Sequence, residues 1–192
     1  MIKQFFTLLC GIGFITSAVA TTDSPIPLKS IWVKNTKGEV IHDPQTSGLV
    51  LRQGQFLSIG DGSASKAMQL TLLPIDPKTA VLSDSRFPLT QSKTVKNGCF
   101  SPYLSYGPDL EALAIHPKDD NVIIIVTEDA YRFKLEGDCQ KRYGNTGSTQ
   151  HPTVLLRVEL QPDNTGIITH AKALQFPAQY DVGNSPNDGI EG

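Results

Sequence analysis

Basic runs are missing from this chain of 192 residues, and so is any second long apolar segment after the N-terminus. The first absence excludes a nucleic-acid interface, because such interfaces need a basic patch or stripe to neutralise phosphates. The second excludes a membrane span after residue 20, since a helix needs about 20 apolar residues to cross a bilayer. No apolar stripe at helical spacing is sustained, which predicts few helices. The single tryptophan, Trp32, is expected to pack in the core.

Known catalytic signatures are also absent. The chain has no Gly-x-Ser-x-Gly elbow of a serine hydrolase and no His-Glu-x-x-His motif of a zinc protease. The segment Gly144-Asn-Thr-Gly147 is not a phosphate-binding P-loop, because no Lys-Ser/Thr pair follows it. The four histidines, His42, His116, His151 and His170, are scattered along the chain, so none stands out as a general base.

The N-terminus is typical of an export signal. Lys3 supplies a positive charge, residues 5–15 are apolar but too few to span a bilayer comfortably, and Ala18-Val-Ala20 is a small-x-small cleavage site. We therefore predict a signal peptide over residues 1–20 and a periplasmic or secreted mature chain. Without Lys3 that chain has 16 basic and 19 acidic residues, a net charge of −3. A charge of this size helps to keep a protein in solution and does not indicate a highly charged binding partner.

Cysteines are few, and only two lie outside the predicted signal peptide. An even number of cysteines in an exported chain favours a disulfide, here between Cys99 and Cys139. The bond would close a loop of about 40 residues and stabilise the fold by about 3–4 kcal/mol. Two free thiols are the alternative. Metal binding through this pair is not expected, because no His or Cys stands at ligand spacing from either cysteine.

A β-hairpin is predicted near the middle of the chain. Residues 113–115 form a short apolar strand, and residues 117–121 are a turn cluster of Pro, Asp and Asn. Residues 122–126 are five consecutive β-branched residues, a pattern that suits a strand buried on both faces.

Four carboxylates flank this hairpin. Asp109 and Glu111 precede the first strand, and Glu128 and Asp129 follow the second. In an antiparallel pair the start of one strand lies beside the end of the next. We therefore expect Glu111 to lie near Glu128 or Asp129, at one end of a sheet.

Parts of the hairpin recur elsewhere. Residues 48–62 are typical of a second hairpin, and residues 187–192 repeat the phrase in which an acid is followed, within one or two residues, by Ile/Leu-Glu and a small residue. Aligning the copies places Ser47, Glu111 and Glu191 in register. Repeated sheet units predict an all-β fold, a β-propeller of antiparallel blades with long insertions. Because the chain ends inside its own motif, residues 21–192 are expected to be the N-terminal half of a propeller of the six-bladed type.

The phrases Asp109-Leu-Glu-Ala-Leu-Ala-Ile-His-Pro, Val126-Thr-Glu-Asp and Asn187-Asp-Gly-Ile-Glu-Gly resemble the phytase-like, or esterase-like, β-propeller family of exported bacterial proteins. The resemblance covers roughly residues 28–192. It implies a propeller whose central channel opens among these carboxylates. It also implies a divalent ion, usually calcium, and hydrolysis of phosphoesters or esters.

Acids at corresponding positions of the repeated units are the candidate metal ligands. Calcium prefers six to eight oxygen ligands, and clustered carboxylates need a cation or protons to offset their repulsion. The candidates are Asp61, Glu111, Glu128, Asp129, Asp188 and Glu191. Of these, Glu111 and Glu128 are also the candidate catalytic residues. Alternatively, these acids accept hydrogen bonds from turn backbone N–H groups and face water.

Two functions follow from these observations. The first is a calcium-dependent hydrolase that acts on a small-molecule phosphate ester or ester after export. The second is a non-catalytic binding propeller. In that case the long loops, residues 83–108 and 136–150, would bind a protein or a glycan.

Overall fold

The structure is a computed structural model that describes residues 30–128, 135–143 and 153–174. The predicted signal peptide, Asp129 and the C-terminal repeat with Asp188 and Glu191 lie outside the described residues. The expectations for these parts of the chain therefore stay predictions.

The described chain is mostly β-sheet, which confirms the predicted all-β class at that level. One sheet contains eight strands in the order β1-β2-β3-β4-β8-β7-β6-β5. All neighbours are antiparallel except β4 and β8, which pair in parallel. The strands are β1 (Thr46–Arg52), β2 (Gln55–Gly60), β3 (Thr71–Ile75), β4 (Phe87–Gln91), β5 (Leu110–His116), β6 (Asp119–Thr127), β7 (Val154–Leu160) and β8 (Gly166–Ala173).

The sheet consists of two four-stranded antiparallel meanders, β1–β4 and β5–β8. The hairpins predicted over residues 48–62 and 113–126 are the first two strands of each meander. The edge strands β1 and β5 also approach each other, so the sheet is nearly closed and barrel-like. Arg52 on β1 also donates hydrogen bonds to the start of β6, from Nε to the Asp120 carbonyl at 2.6 Å and from Nη2 to Asn121 Oδ1 at 2.8 Å.

Gly48 sits where β1 comes closest to β5. A Cβ atom at this position would lie 3.1 Å from the backbone nitrogen of Leu113 and 3.2 Å from the Cα atom of Ala112. The φ angle of Gly48 is +58°, in the left-handed region that favours glycine. Gly48 also marks a bulge, because the β1–β2 register passes from Ser47 directly to Leu49. Glycine is therefore required here by both the backbone angle and the lack of space.

The main hydrophobic core contains residues from both meanders. Ile59, Leu72, Ile123 and Leu156 are each fully buried in this one cluster. On β7, buried residues alternate with half-buried ones, as expected for a strand with one face toward the core. Of residues 122–126 on β6, all but Ile124 are buried, which agrees with the prediction from the β-branched run. The two meanders therefore fold around a shared interior.

Helices are few among the described residues, as predicted. They are α1 (Lys93–Lys96), α2 (Ser101–Ser105) and α3 (Gly137–Tyr143). In the described part of the chain, none of them has the length and apolar character that crossing a membrane requires. A disulfide joins Cys99, between α1 and α2, to Cys139 on α3, which confirms the predicted pairing.

Two local expectations were wrong. Trp32 is 75% exposed rather than buried. Its segment contributes only two isolated bridges, from Lys34 to Val40 and from Lys34 to Val81, so it does not enter the main sheet. Residues 83–108 were expected to be a long loop, but they contain β4, α1 and α2, and the loop expected over residues 136–150 contains α3. Pro88 makes β4 difficult to predict from the sequence, because proline lacks the N–H group that a central strand needs.

Candidate metal centre

The β5–β6 hairpin brings three carboxylates together at one end. Asp109 immediately precedes β5, Glu111 is the second residue of β5, and Glu128 immediately follows β6. Leu110 pairs with Thr127, and the backbone N–H of Glu128 donates to the Asp109 carbonyl at 3.0 Å. This pairing is why residues 17 positions apart in sequence meet, and it confirms the predicted proximity of Glu111 and Glu128.

A β-bulge at Glu111 shapes the group. The register passes from Leu110–Thr127 to Ala112–Val126, so Glu111 is the extra residue. Bulges interrupt the strict alternation of side chains and re-aim the residue that they contain. The bulge therefore allows the Glu111 carboxylate to join those of Asp109 and Glu128, which come from the ends of the two strands.

The three carboxylates form a compact group of oxygen atoms. One oxygen from each of Asp109, Glu111 and Glu128 lies within 4.8 Å of the other two. Asp109 and Glu111 are half-buried, whereas Glu128 is only 4% exposed. Glu111 and Glu128 also take part in other interactions.

Neighbouring backbone groups fix the position of Asp109. Its Oδ1 atom accepts a hydrogen bond from the backbone N–H of Gly62 at 2.9 Å. Its own N–H donates to the hydroxyl oxygen of Tyr103 at 3.3 Å, and Tyr103 is buried. A Cβ atom at Gly62 would lie 3.2 Å from the Asp109 carboxyl carbon, so a larger residue would crowd the carboxylate. The loop after β2 thus holds Asp109 from one side.

The side-chain hydroxyl of Thr127 makes two hydrogen bonds next to Glu128. The Thr127 hydroxyl donates to the Glu128 carbonyl at 2.7 Å and accepts from the backbone N–H of Val154 at 2.9 Å. Thr127 is fully buried, so both bonds lie in a dry environment where an unpaired hydroxyl would be costly. These bonds tie the end of β6 to the start of β7 and restrain the backbone that carries the Glu128 carboxylate.

The comparisons with known proteins identify no relative. No protein-family model, curated protein or solved structure matches this chain. Its function must therefore be inferred from the geometry of the site.

The sequence-derived ligand set differs from the observed group in two described residues. Asp61 lies outside it, and its Oδ1 atom accepts hydrogen bonds from the Ser63 N–H and hydroxyl at 2.6 Å and from the Ala64 N–H at 2.9 Å. This is the alternative role for such acids, satisfaction of turn backbone groups. Asp109 belongs to the group but was absent from the predicted set. Its position directly before β5, opposite Glu128, is the signal that would have found it.

The donor set fits a hard divalent cation. It consists only of carboxylate oxygens, which suit calcium, magnesium or manganese rather than the softer metals that bind sulfur. Calcium–oxygen distances are about 2.4 Å, so two ligands on opposite sides of one ion are about 4.8 Å apart. The oxygens of Asp109, Glu111 and Glu128 meet this limit. Three carboxylates could thus supply part of a coordination shell that water or a substrate would complete.

Proposed function

We propose that this chain is a metal-dependent hydrolase of the phytase-like β-propeller type, which acts on phosphate esters or esters. One observation carries the proposal, the convergence of Asp109, Glu111 and Glu128 within 4.8 Å. A hard divalent ion, with calcium as the first candidate, is the proposed cofactor.

Electrostatics supports a cation at this place. Ionised carboxylates at such distances repel each other, and burial strengthens the repulsion because less water screens it. Glu128, with 4% exposure, is the most deeply buried of the three. A divalent ion would reduce the repulsion without requiring the carboxylates to take up protons. Its hydration shell would be replaced in part by these oxygens.

Metal chemistry suits ester hydrolysis. A bound divalent ion would polarise the phosphoryl or carbonyl oxygen of the substrate and lower the pKa of a bound water molecule. The half-buried Glu111 is then placed to accept a proton from the attacking water, while the buried Glu128 fixes the charge and geometry of the site. The hydrogen bond from the Gly62 N–H to Asp109 restrains the third carboxylate of the group.

The two meanders support the propeller part of the proposal. A propeller blade is a four-stranded antiparallel sheet, and both β1–β4 and β5–β8 have this form. Each begins with a hairpin whose first strand has a bulge near its start, at Gly48 in β1 and at Glu111 in β5. We propose that the meanders are blade-like repeats, with the carboxylates at the end of the β5–β6 hairpin that begins the second repeat.

An extracytoplasmic location is part of the same proposal. The disulfide between Cys99 and Cys139 is typical of oxidising compartments, since cytosolic thiols are kept reduced. The signal-like N-terminus and the resemblance to exported proteins point the same way.

Calcium titration of the metal-free protein by calorimetry tests the site. Losing one charge-assisted contact costs about 1.5–3 kcal/mol, so Glu111→Gln should raise the Kd for calcium about 10- to 150-fold. Asp138→Asn is the matched control, because Asp138 is exposed on α3 and pairs only with Lys141 among the described residues. Equal calcium affinity in the two variants would refute the site.

Hydrolysis is tested separately with 4-nitrophenyl phosphate and 4-nitrophenyl acetate. Turnover should require calcium, disappear in Glu111→Gln and persist in Asp138→Asn. A different outcome is that calcium binds the parent protein and not Glu111→Gln, while the parent hydrolyses neither ester. That result would reject the hydrolase and retain the metal site.

A further inference from the structure

A second site candidate lies beside the disulfide. A groove of about 930 Å³ lies between α1, α3 and the last residues of β8. Small-molecule pockets typically have volumes of about 300–1,000 Å³, so the groove could hold a compact organic ligand. None of the three carboxylates of the metal centre lines it. Whatever binds here would therefore occupy a different site.

The floor of the groove is apolar and aromatic. Val95 and Phe100 are buried, with 5% and 3% exposure, and the half-buried Tyr143 lies beside them. The rings of Phe100 and Tyr143 are 5.0 Å apart between centroids and tilted by 51°. The Arg142 guanidinium lies 5.3 Å from the centroid of the Tyr143 ring. This surface suits a flat apolar group, which could stack on the rings close to a cation.

The rim of the groove is cationic. Arg142 and Lys172 are exposed along it, and none of the described lining residues is acidic. Within the described residues neither Arg142 nor Lys172 forms a salt bridge, whereas Lys141 on the same helix pairs with Asp138 at 3.1 Å. This local charge is opposite to that of the whole chain, which has a formal net charge of −2. The rim thus complements an anion.

We propose that this groove binds an organic anion with a flat apolar body, such as an aromatic carboxylate or an aromatic phosphate. The apolar body lies on the half-buried Tyr143, whose ring packs on the buried Phe100, and the anionic group is held by Arg142 and Lys172. Cys99 and Cys139 join the two walls, so much of the groove is preorganised before a ligand enters. Preorganisation favours affinity, because less motion is lost on binding.

The probe is 2-naphthoate, and the neutral 2-naphthamide is its matched control. Neither is an ester, so their binding is independent of the proposed hydrolysis. Both are titrated into the oxidised full chain while backbone amide shifts are followed by NMR. Naphthoate should perturb amides that line the groove, those of Thr94, Val95, Tyr143 and Ala171. The double variant Arg142→Gln/Lys172→Gln should bind it about tenfold more weakly.

A second double variant controls for charge alone. Lys141→Gln/Lys118→Gln removes two positive charges, but neither residue lines the groove. It should bind naphthoate like the parent protein, and naphthamide should bind the parent about tenfold more weakly than naphthoate does. Equal binding of the two probes, equal affinity of both double variants, or shift changes confined to residues outside the groove would each overturn the proposal.

Discussion

The close approach of β1 to β5 makes a quantitative prediction at Gly48. An alanine there would adopt the left-handed conformation, which costs an L-residue roughly 1–2 kcal/mol. Its Cβ atom would also lie 2.6 Å from Leu113 Cδ2, as well as within 3.2 Å of two backbone atoms. The side chain can rotate away, but the backbone of β5 must shift, and overpacking of this kind costs about 1–3 kcal/mol. Gly48→Ala should therefore destabilise the protein by about 2–5 kcal/mol.

Gly54 is the matched control. It lies in the turn between β1 and β2 with a φ angle of +81°, and a Cβ atom there would have no other atom within 4 Å. Gly54→Ala should therefore cost only the backbone contribution, roughly 1–2 kcal/mol. The difference between the two variants isolates the contact across the gap between the sheet edges.

Thermal and urea unfolding of both variants provide the measurement. A free-energy difference of 1 kcal/mol shifts Tm by about 2–4 °C in a protein of this size, so Gly48→Ala should melt several degrees below Gly54→Ala. Equal losses of stability would refute the packing of β1 against β5, and with it the nearly closed shape of the sheet.

Three further perturbations have defined outcomes. Asp109→Asn should raise the Kd for calcium about 10- to 150-fold, whereas Asp61→Asn should leave it unchanged; calorimetry showing the reverse would contradict the observed ligand group. Reduction of the Cys99–Cys139 disulfide, which closes a loop of 40 residues, should cost about 4 kcal/mol in urea unfolding, and no loss would contradict the bond. Hydrogen bonds from the Thr79 N–H and hydroxyl and from the Lys78 N–H lower the pKa of Asp76 below its ordinary value of 3.8. Its stabilising effect is therefore present above pH 3.8 and lost in more acidic solution. Asp76→Asn should have a lower Tm than the parent at pH 7, and the gap should narrow as the pH falls below 3.8.

Local patterns predicted a substantial part of the fold. The β-branched run in β6 and the turn signals around it predicted the central hairpin, because a strand and its turn depend on neighbouring residues. The disulfide followed from the count of cysteines and the expected compartment. Both inferences use short sequence separations or simple chemistry, so one sequence was enough.

The errors and omissions concern longer-range contacts. Trp32 is exposed because its segment joins its neighbours through isolated bridges, which no residue pattern reports. The parallel pairing of β4 with β8 has no local signal, since its partners are distant in sequence. At the metal centre, the pattern brought Glu111 and Glu128 together. It missed Asp109, although this acid flanks the same hairpin, because the ligand set was chosen from acids at corresponding positions of the repeated units.

The parallel contact between β4 and β8 is short and has consequences for how the protein folds. Only Leu89–Gly166, Thr90–Ile167 and Gln91–Ile168 are paired, whereas the strands within each meander follow one another along the chain. The chain between β4 and β8 forms a long loop, and closing it costs more entropy than forming a hairpin. We therefore expect the two meanders to form first and to join afterwards. In amide hydrogen exchange, this seam should open before either meander unfolds. Because both meanders contribute to one hydrophobic core, this opening would expose part of their shared interior to water.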